Sequence, residues 1–185
     1  MCDIVLEDIG GESCEPVGGI TAEVQIAPHG DFDTIVDPPA TLEGYTDIEE
    51  LVTIVGPHVP KEGKGFTKIQ GVEETGTVKS TLIGNPGSGL FQNEVVITVA
   101  GSSPKLLGWL RLVKNLKFLA EVTEVGTGNM RQFGSKQFPA KFTGIEHAIE
   151  ATMEGANQVT LTIQDKQKWP AAVYTGTLPM MPATP

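Results

Sequence analysis

Few residues of this 185-residue chain could do chemistry near neutral pH: three histidines, two cysteines and some carboxylates. PHGDFDTIVD brings His29, Asp31, Asp33 and Asp37 within ten positions, a donor set that could hold a hard cation. Asp31 and Asp33 share a face only if the segment is extended, and the glycine and distal glutamate of a calcium loop are missing, so no metal is expected. His58 is flanked by Pro57 and Val59, with no second histidine at ligand spacing. His147 in GIEHAIEATMEG stands beside Glu146 and Glu150 and is expected in solvent. GNPGSG at 84–89 has the glycines of a phosphate loop, but Leu90 and Phe91 stand where lysine and a hydroxyl residue would follow; it reads as a turn between strands. No serine lies in a nucleophile elbow and neither cysteine has a histidine near it in sequence. No carboxylate pair is nominated for glycoside cleavage. The chain is not expected to be an enzyme or to carry a cofactor.

Composition directs attention to partners. Residues 1–60 hold thirteen acids and no lysine or arginine, whereas residues 61–185 hold ten acids and all thirteen cations. Such asymmetry bears on solvation and association rather than on fold. The acidic third is either a solvated arm, a surface that repels a polyanion, or one that meets the basic remainder of another copy. Two arginines and scattered aromatics argue against specific nucleic-acid recognition. MCDIVLEDIGG is acidic where a secretory leader would be basic, and LLGWLRLV, cut by Arg111, is too short to span a membrane. These features give the expectation of a soluble protein made in a cytoplasm. Cys2 and Cys14 are expected as free thiols.

The elements that must position these residues are mostly strands. Glycine (22) and proline (13) are abundant and apolar residues make up 39% of the chain, a mix that suits a β-rich, turn-rich domain over 1–185. Period-two alternation marks strands in ITAEVQIA (Ile20, Ala22, Val24, Ile26), VTIVG, FTKIQGVEETGTVKSTLIG, EVVITVAG, KFLAEVTEV, MRQFGS, FPAKFTG, NQVTLTIQD and AAVYTGTL. Residues 57–68 read as a polar loop that projects, with Lys61, Lys64, Phe66 and Lys68 as candidate contacts to another copy. Residues 179–185 form a proline-rich tail. One helix is expected over about 103–116, with Ser103 as cap and Pro104 at its first position. Its apolar residues, Trp109 and Leu112 among them, cover roughly 220°, against the ~100° stripe of an ordinary surface helix. A second subunit is therefore expected to cover part of it. The expected fold is an antiparallel β-sandwich or barrel with this helix flanking it.

The stretch Gly126–Gly144, GTGNMRQFGSKQFPAKFTG, has no acid, histidine or cysteine and reads as wall. Phe133, Phe138 and Phe142 would anchor its strands, leaving Arg131, Lys136 and Lys141 as cations for an acidic neighbour. The order FLAEVTEV, glycine turn, MRQFGS, FPAKFTG, a loop, NQVTLTIQD and WPAAVYTG resembles the tail tube proteins of long-tailed bacteriophages. The resemblance rests on Phe133-Gly134-Ser135, Pro139-Ala140 and Tyr174 with Gly176, and covers roughly residues 95–178. It implies a virion subunit assembled in the bacterial cytoplasm. Six copies would form a ring, and rings would stack into a tube that meets other virion proteins. Double-stranded DNA would pass through the lumen without tight binding. The acidic third is the expected source of a negative lumen, with Glu121, Glu124 and Asp165 as lumen candidates. Other classes compatible with the residues are a head-to-tail connector, a capsid decoration, an adhesin or a carbohydrate-binding module.

Overall fold

The computed structural model describes residues 18–152 and 154–182. Cys2, Cys14 and the last residues of the proline-rich tail lie outside them. The fold is mainly β, 46% strand and 10% helical, and its sheets pack as a sandwich rather than closing into a barrel. The described residues form twelve strands: β1 (Ile20–Pro28), β2 (Phe32–Thr34), β3 (Thr53–Ile54), β4 (Val59–Pro60), β5 (Thr67–Gln70), β6 (Thr77–Ile83), β7 (Leu90–Ala100), β8 (Phe118–Glu124), β9 (Met130–Phe133), β10 (Lys141–Ile149), β11 (Asn157–Gln167) and β12 (Ala172–Tyr174). One sheet has the order β3-β12-β9-β8-β1-β5, a second β10-β11-β7-β6, and β2 pairs with β4 as a short ribbon. All pairings are antiparallel except β12 with β3.

Alternation in the sequence becomes the packing. Val24, Ile26, Phe118, Ala120, Val122 and Phe133 of the first sheet meet Val95, Ile97, Val159, Leu161 and Ile163 of the second in one apolar cluster. Each such aliphatic side chain, fully buried, contributes about 1.5–3 kcal/mol. The opposite face of the six-stranded sheet is also covered. Ala27 and Leu119 pack there with Phe32, Ile35 and Phe66, and Tyr174 and Ala172 pack with Ile54. Much of the acidic third, from Phe32 onward, thus forms a second layer over that sheet.

The helix, α1 (Pro104–Val113), begins as the sequence requires: Ser103 Oγ accepts from Leu106 N at 3.2 Å and Pro104 takes the first turn. Leu110 and Val113 are buried, and Trp109 meets Phe142 edge-on with ring centroids 6.0 Å apart. GNPGSG is the turn of the β6–β7 hairpin, closed by Ser88 N donating to Asn85 O.

Three expectations change. The 57–68 segment does not project. Val59–Pro60 pairs with Phe32–Thr34, Lys61 N donates to Asp31 O, and Phe66 is 1% exposed against Phe32. Gly65 sits so close to the backbone of Pro179–Met181 that a Cβ there would lie 2.5 Å from Pro179 O. The apolar Phe66, ending an otherwise polar run, is what ties the run down. The loop expected after FPAKFTG is strand, since Ile145–Ile149 continue β10 against Val159–Asn157 and Leu161. The strand expected in VTIVG shrinks to two residues after a 3-10 turn over Ile48–Leu51.

Candidate functional site

A polar cluster lies buried beneath that second layer. Because Phe118, Ala120 and Val122 face the sandwich core, Leu119 and Glu121 must face the other way. The register sets Glu121 between Gln25 on β1 and Gln132 on β9. His58 is delivered over this row by the chain entering β4, and its ring stacks on Tyr174 at 4.7 Å. Glu121 is 0% and His58 2% exposed.

The hydrogen bonds fix the state of the histidine. Val36 N donates to His58 Nδ1 at 3.1 Å, so Nδ1 carries the lone pair and the proton sits on Nε2, which donates to Gln132 Oε1 at 2.9 Å. Burial lowers the histidine's pKa, partly offset by Gln132. His58 N donates to the Tyr174 hydroxyl, which donates onward to Thr177 O. Glu121 Oε1 lies 3.9 Å from Nε2, beyond hydrogen-bond distance, and neither of its oxygens has a partner among the described residues. Burial alone pushes its carboxyl well above the usual range. Burial thus favours the neutral form of both Glu121 and His58. With both imidazole nitrogens engaged, His58 has no free lone pair for a metal or a proton in flight. The cluster specifies packing and is closed to substrates.

The residues singled out from sequence scatter accordingly. Glu121 and Asp165 are interior and cannot line a channel. Asp165 is 5% exposed; its Oδ2 accepts from Gly134 N at 2.5 Å and from Gln167 Nε2 at 3.1 Å, while Oδ1 has no partner among the described residues. Burial raises its pKa against those hydrogen bonds. Glu124 is half-buried and held by Arg131 Nε at 2.6 Å; Arg131 also donates to Ala171 O. Neither is free for a neighbour. Lys64 pairs with Asp31 at 3.6 Å, Lys68 with Glu23 at 2.9 Å, and Lys61 Nζ donates to Gly30 O. These lysines meet the acidic segment within one chain. Phe66 is core and Trp109 half-buried. Lys136 is exposed, its backbone N held by the Asp37 carboxylate at 3.2 Å. His29 Nε2 lies 3.2 Å from Ser135 O and 3.1 Å from Lys136 O. His29 and Asp37 thus both engage the Lys136 backbone, while Asp31 pairs with Lys64.

What remains open is surface of two kinds. On the helix, Leu112 is 74% exposed, with Leu107 and Leu116 about 40%. On the four-stranded sheet, β6 and β10 are outer strands of seven and nine residues with no strand beyond them among the described residues. The sheet's outward face carries polar side chains, including Thr81, Gln92, Glu94, Glu146, Thr160 and Gln164. An uncovered edge of this length is a template for pairing with another chain. Within Gly126–Gly144, Phe133 is core, Phe142 packs on Phe118 and Trp109, and Phe138 is 52% exposed. Gly134, at φ +90°, would bring a Cβ to 2.8 Å from Ala140 N and 2.9 Å from Phe118 O. Sequence reasoning set His58 aside and missed Gln132, because their meeting depends on the pairing of β8 with β9 and on the chain that folds over them. Among the described residues no helix is long and apolar enough to cross a membrane. Comparison with protein-family models, curated proteins and solved structures finds no match to this chain.

Proposed function

We propose that this chain is a self-assembling wall subunit, the tail tube subunit of a long-tailed bacteriophage, whose copies form rings that stack around a DNA-conducting lumen. The observation that supports it best is the four-stranded sheet, with both outer edges open among the described residues and a polar outward face. An interface between the β6 edge of one copy and the β10 edge of the next uses two different surfaces, and repetition of such an interface closes a ring when the rotation allows. The exposed leucines of α1 supply apolar area for the same or the next contact. A lumen lined by the outward face would present mainly threonine and glutamine, with Lys79, Lys141, Lys166, Glu94 and Glu146 interleaved, rather than a dense anionic field. The acids of residues 31–50 lie with the layer on the far side of the sandwich, so the lumen role moves from them, and from Glu121 and Asp165, to the four-stranded sheet. A wall without net attraction for phosphate lets DNA slide, because each neutralised phosphate would add affinity.

Sedimentation velocity over a range of protein concentration tests the reading. Species much larger than the 19.7 kDa chain are expected. A monomer at all concentrations that binds glycans would favour a carbohydrate-binding module instead.

A further inference from the structure

A groove of about 430 Å³ opens at the start of β10, lined by Lys117, Lys141 and Lys166 around Phe138. All three lysines are exposed and none forms an ion pair among the described residues, unlike Lys64 and Lys68. Phe138 is half-exposed at the rim, although it belongs to a rigidly built turn: Ser135 N and Gln167 Nε2 both donate to its carbonyl, and Asp165 holds Gly134. The groove thus combines cations and an aromatic. An acidic peptide answers both, with carboxylates for the lysines and an apolar side chain for Phe138.

Residues 1–17, MCDIVLEDIGGESCEPV, are such a peptide. They hold Asp3, Glu7, Asp8, Glu12 and Glu15 with no lysine or arginine, and interleave Ile4, Val5, Leu6 and Ile9. We propose that the Lys117–Lys141–Lys166 groove receives this acidic segment from a second copy of the chain. The described chain begins at Gly18, beside Glu124 at the end of β8, whereas the groove lies at Lys117 before its start. These ends are about 20 Å apart at ~3.3 Å per residue. Seventeen residues reach up to ~56 Å when extended, ample for a neighbour. Between copies stacked end to end the two ends meet without the segment doubling back along its own domain. The inference rests on the self-assembly reading and names one contact that would join successive copies. It also disposes of three cations that would otherwise hold DNA phosphate.

The segment carries its own probes, Cys2 and Cys14. A Gln137→Cys variant of the full chain places a thiol in the groove, where Gln137 is exposed. Mild oxidation should give disulfide-linked dimers and higher ladders on a denaturing gel. The ladder should be lost when Cys2 and Cys14 are changed to serine. It should fall about tenfold with Lys117→Glu, Lys141→Glu and Lys166→Glu combined, or in 1 M salt, where the Debye length drops to ~3 Å. Circular dichroism confirms that each variant is folded. Intramolecular cross-linked monomer would overturn the second-copy assignment. A ladder insensitive to the lysines and no stronger than that from a control Thr152→Cys would overturn the groove. Light scattering on the same samples separates the two readings: assembled protein without specific cross-links refutes this contact alone, while monomer throughout refutes self-assembly.

Discussion

Replacing Glu121 by glutamine should stabilise the protein, and increasingly so as pH rises. The carboxyl is fully buried without a hydrogen-bond partner, and its pKa in the folded chain lies well above the 4.5 of the unfolded one. Between those values the unfolded chain releases a proton that the folded chain retains. Stability is therefore whole below 4.5 and falls by about 1.4 kcal/mol per pH unit until the folded value is reached. His58 acts in the opposite sense. Its pKa is lowered below 6.5, so its contribution is whole above 6.5 and is lost as pH falls. The two slopes oppose one another below 6.5, where the unfolded chain's histidine takes up a proton that folded His58 resists. Asp37 and Asp165, whose pKa values are also raised, tilt both proteins alike, so the difference between wild type and Glu121→Gln isolates one group. Urea unfolding at pH 5, 6.5 and 8, at one protomer concentration, should show the gap between variant and wild type widening by more than ~1 kcal/mol from pH 5 to 8, with unchanged m. A variant less stable than wild type at pH 8 would refute the reasoning. It would mean that Glu121 is ionised against an imidazolium, contrary to the Val36 N–H donated to His58 Nδ1.

Four other outcomes follow from the packing. Leu112→Lys, at a position 74% exposed, should leave the unfolding midpoint within ~0.5 kcal/mol of wild type while reducing assembly measured by light scattering. Gly134→Ala forces a side chain at φ +90° against two backbone atoms and should cost about 2 kcal/mol or more in urea unfolding. Deleting residues 60–66 removes the buried Phe66 and its bridge to the tail; loss of cooperative unfolding is expected, and a stable folded product would show that layer to be dispensable. Arg131→Ala breaks a half-buried pair with Glu124 and should cost about 1 kcal/mol, less at high salt, by the same assay.

The strands were legible wherever one face of the chain is dry and the other wet. Val159, Leu161 and Ile163 alternate with threonine and glutamine, and β11 follows that pattern with all three fully buried. The helix was legible from Ser103 and Pro104, and the surplus of its apolar face survives as exposed Leu107, Leu112 and Leu116. The covered outer face of the six-stranded sheet was not legible. Glu121 and Gln132 look like the wet side of their strands, and only distant Phe32, His58 and Phe66 turn that side into interior. Polarity reports exposure for a sheet with one covered face and misleads where an acidic, irregular segment folds back over the other. The same fact relocates the lumen candidates. Asp165 serves its own subunit by anchoring Gly134, a role that depends on the turn's backbone rather than on any spacing in sequence.

Electron micrographs of the purified full-length protein at neutral pH test the central claim most directly. The account predicts closed rings or stacked tubes with an open axial channel, the four-stranded sheets of neighbouring copies joined edge to edge around it. Uniform single particles of 19.7 kDa, with β6 and β10 unprotected in hydrogen exchange, would contradict it.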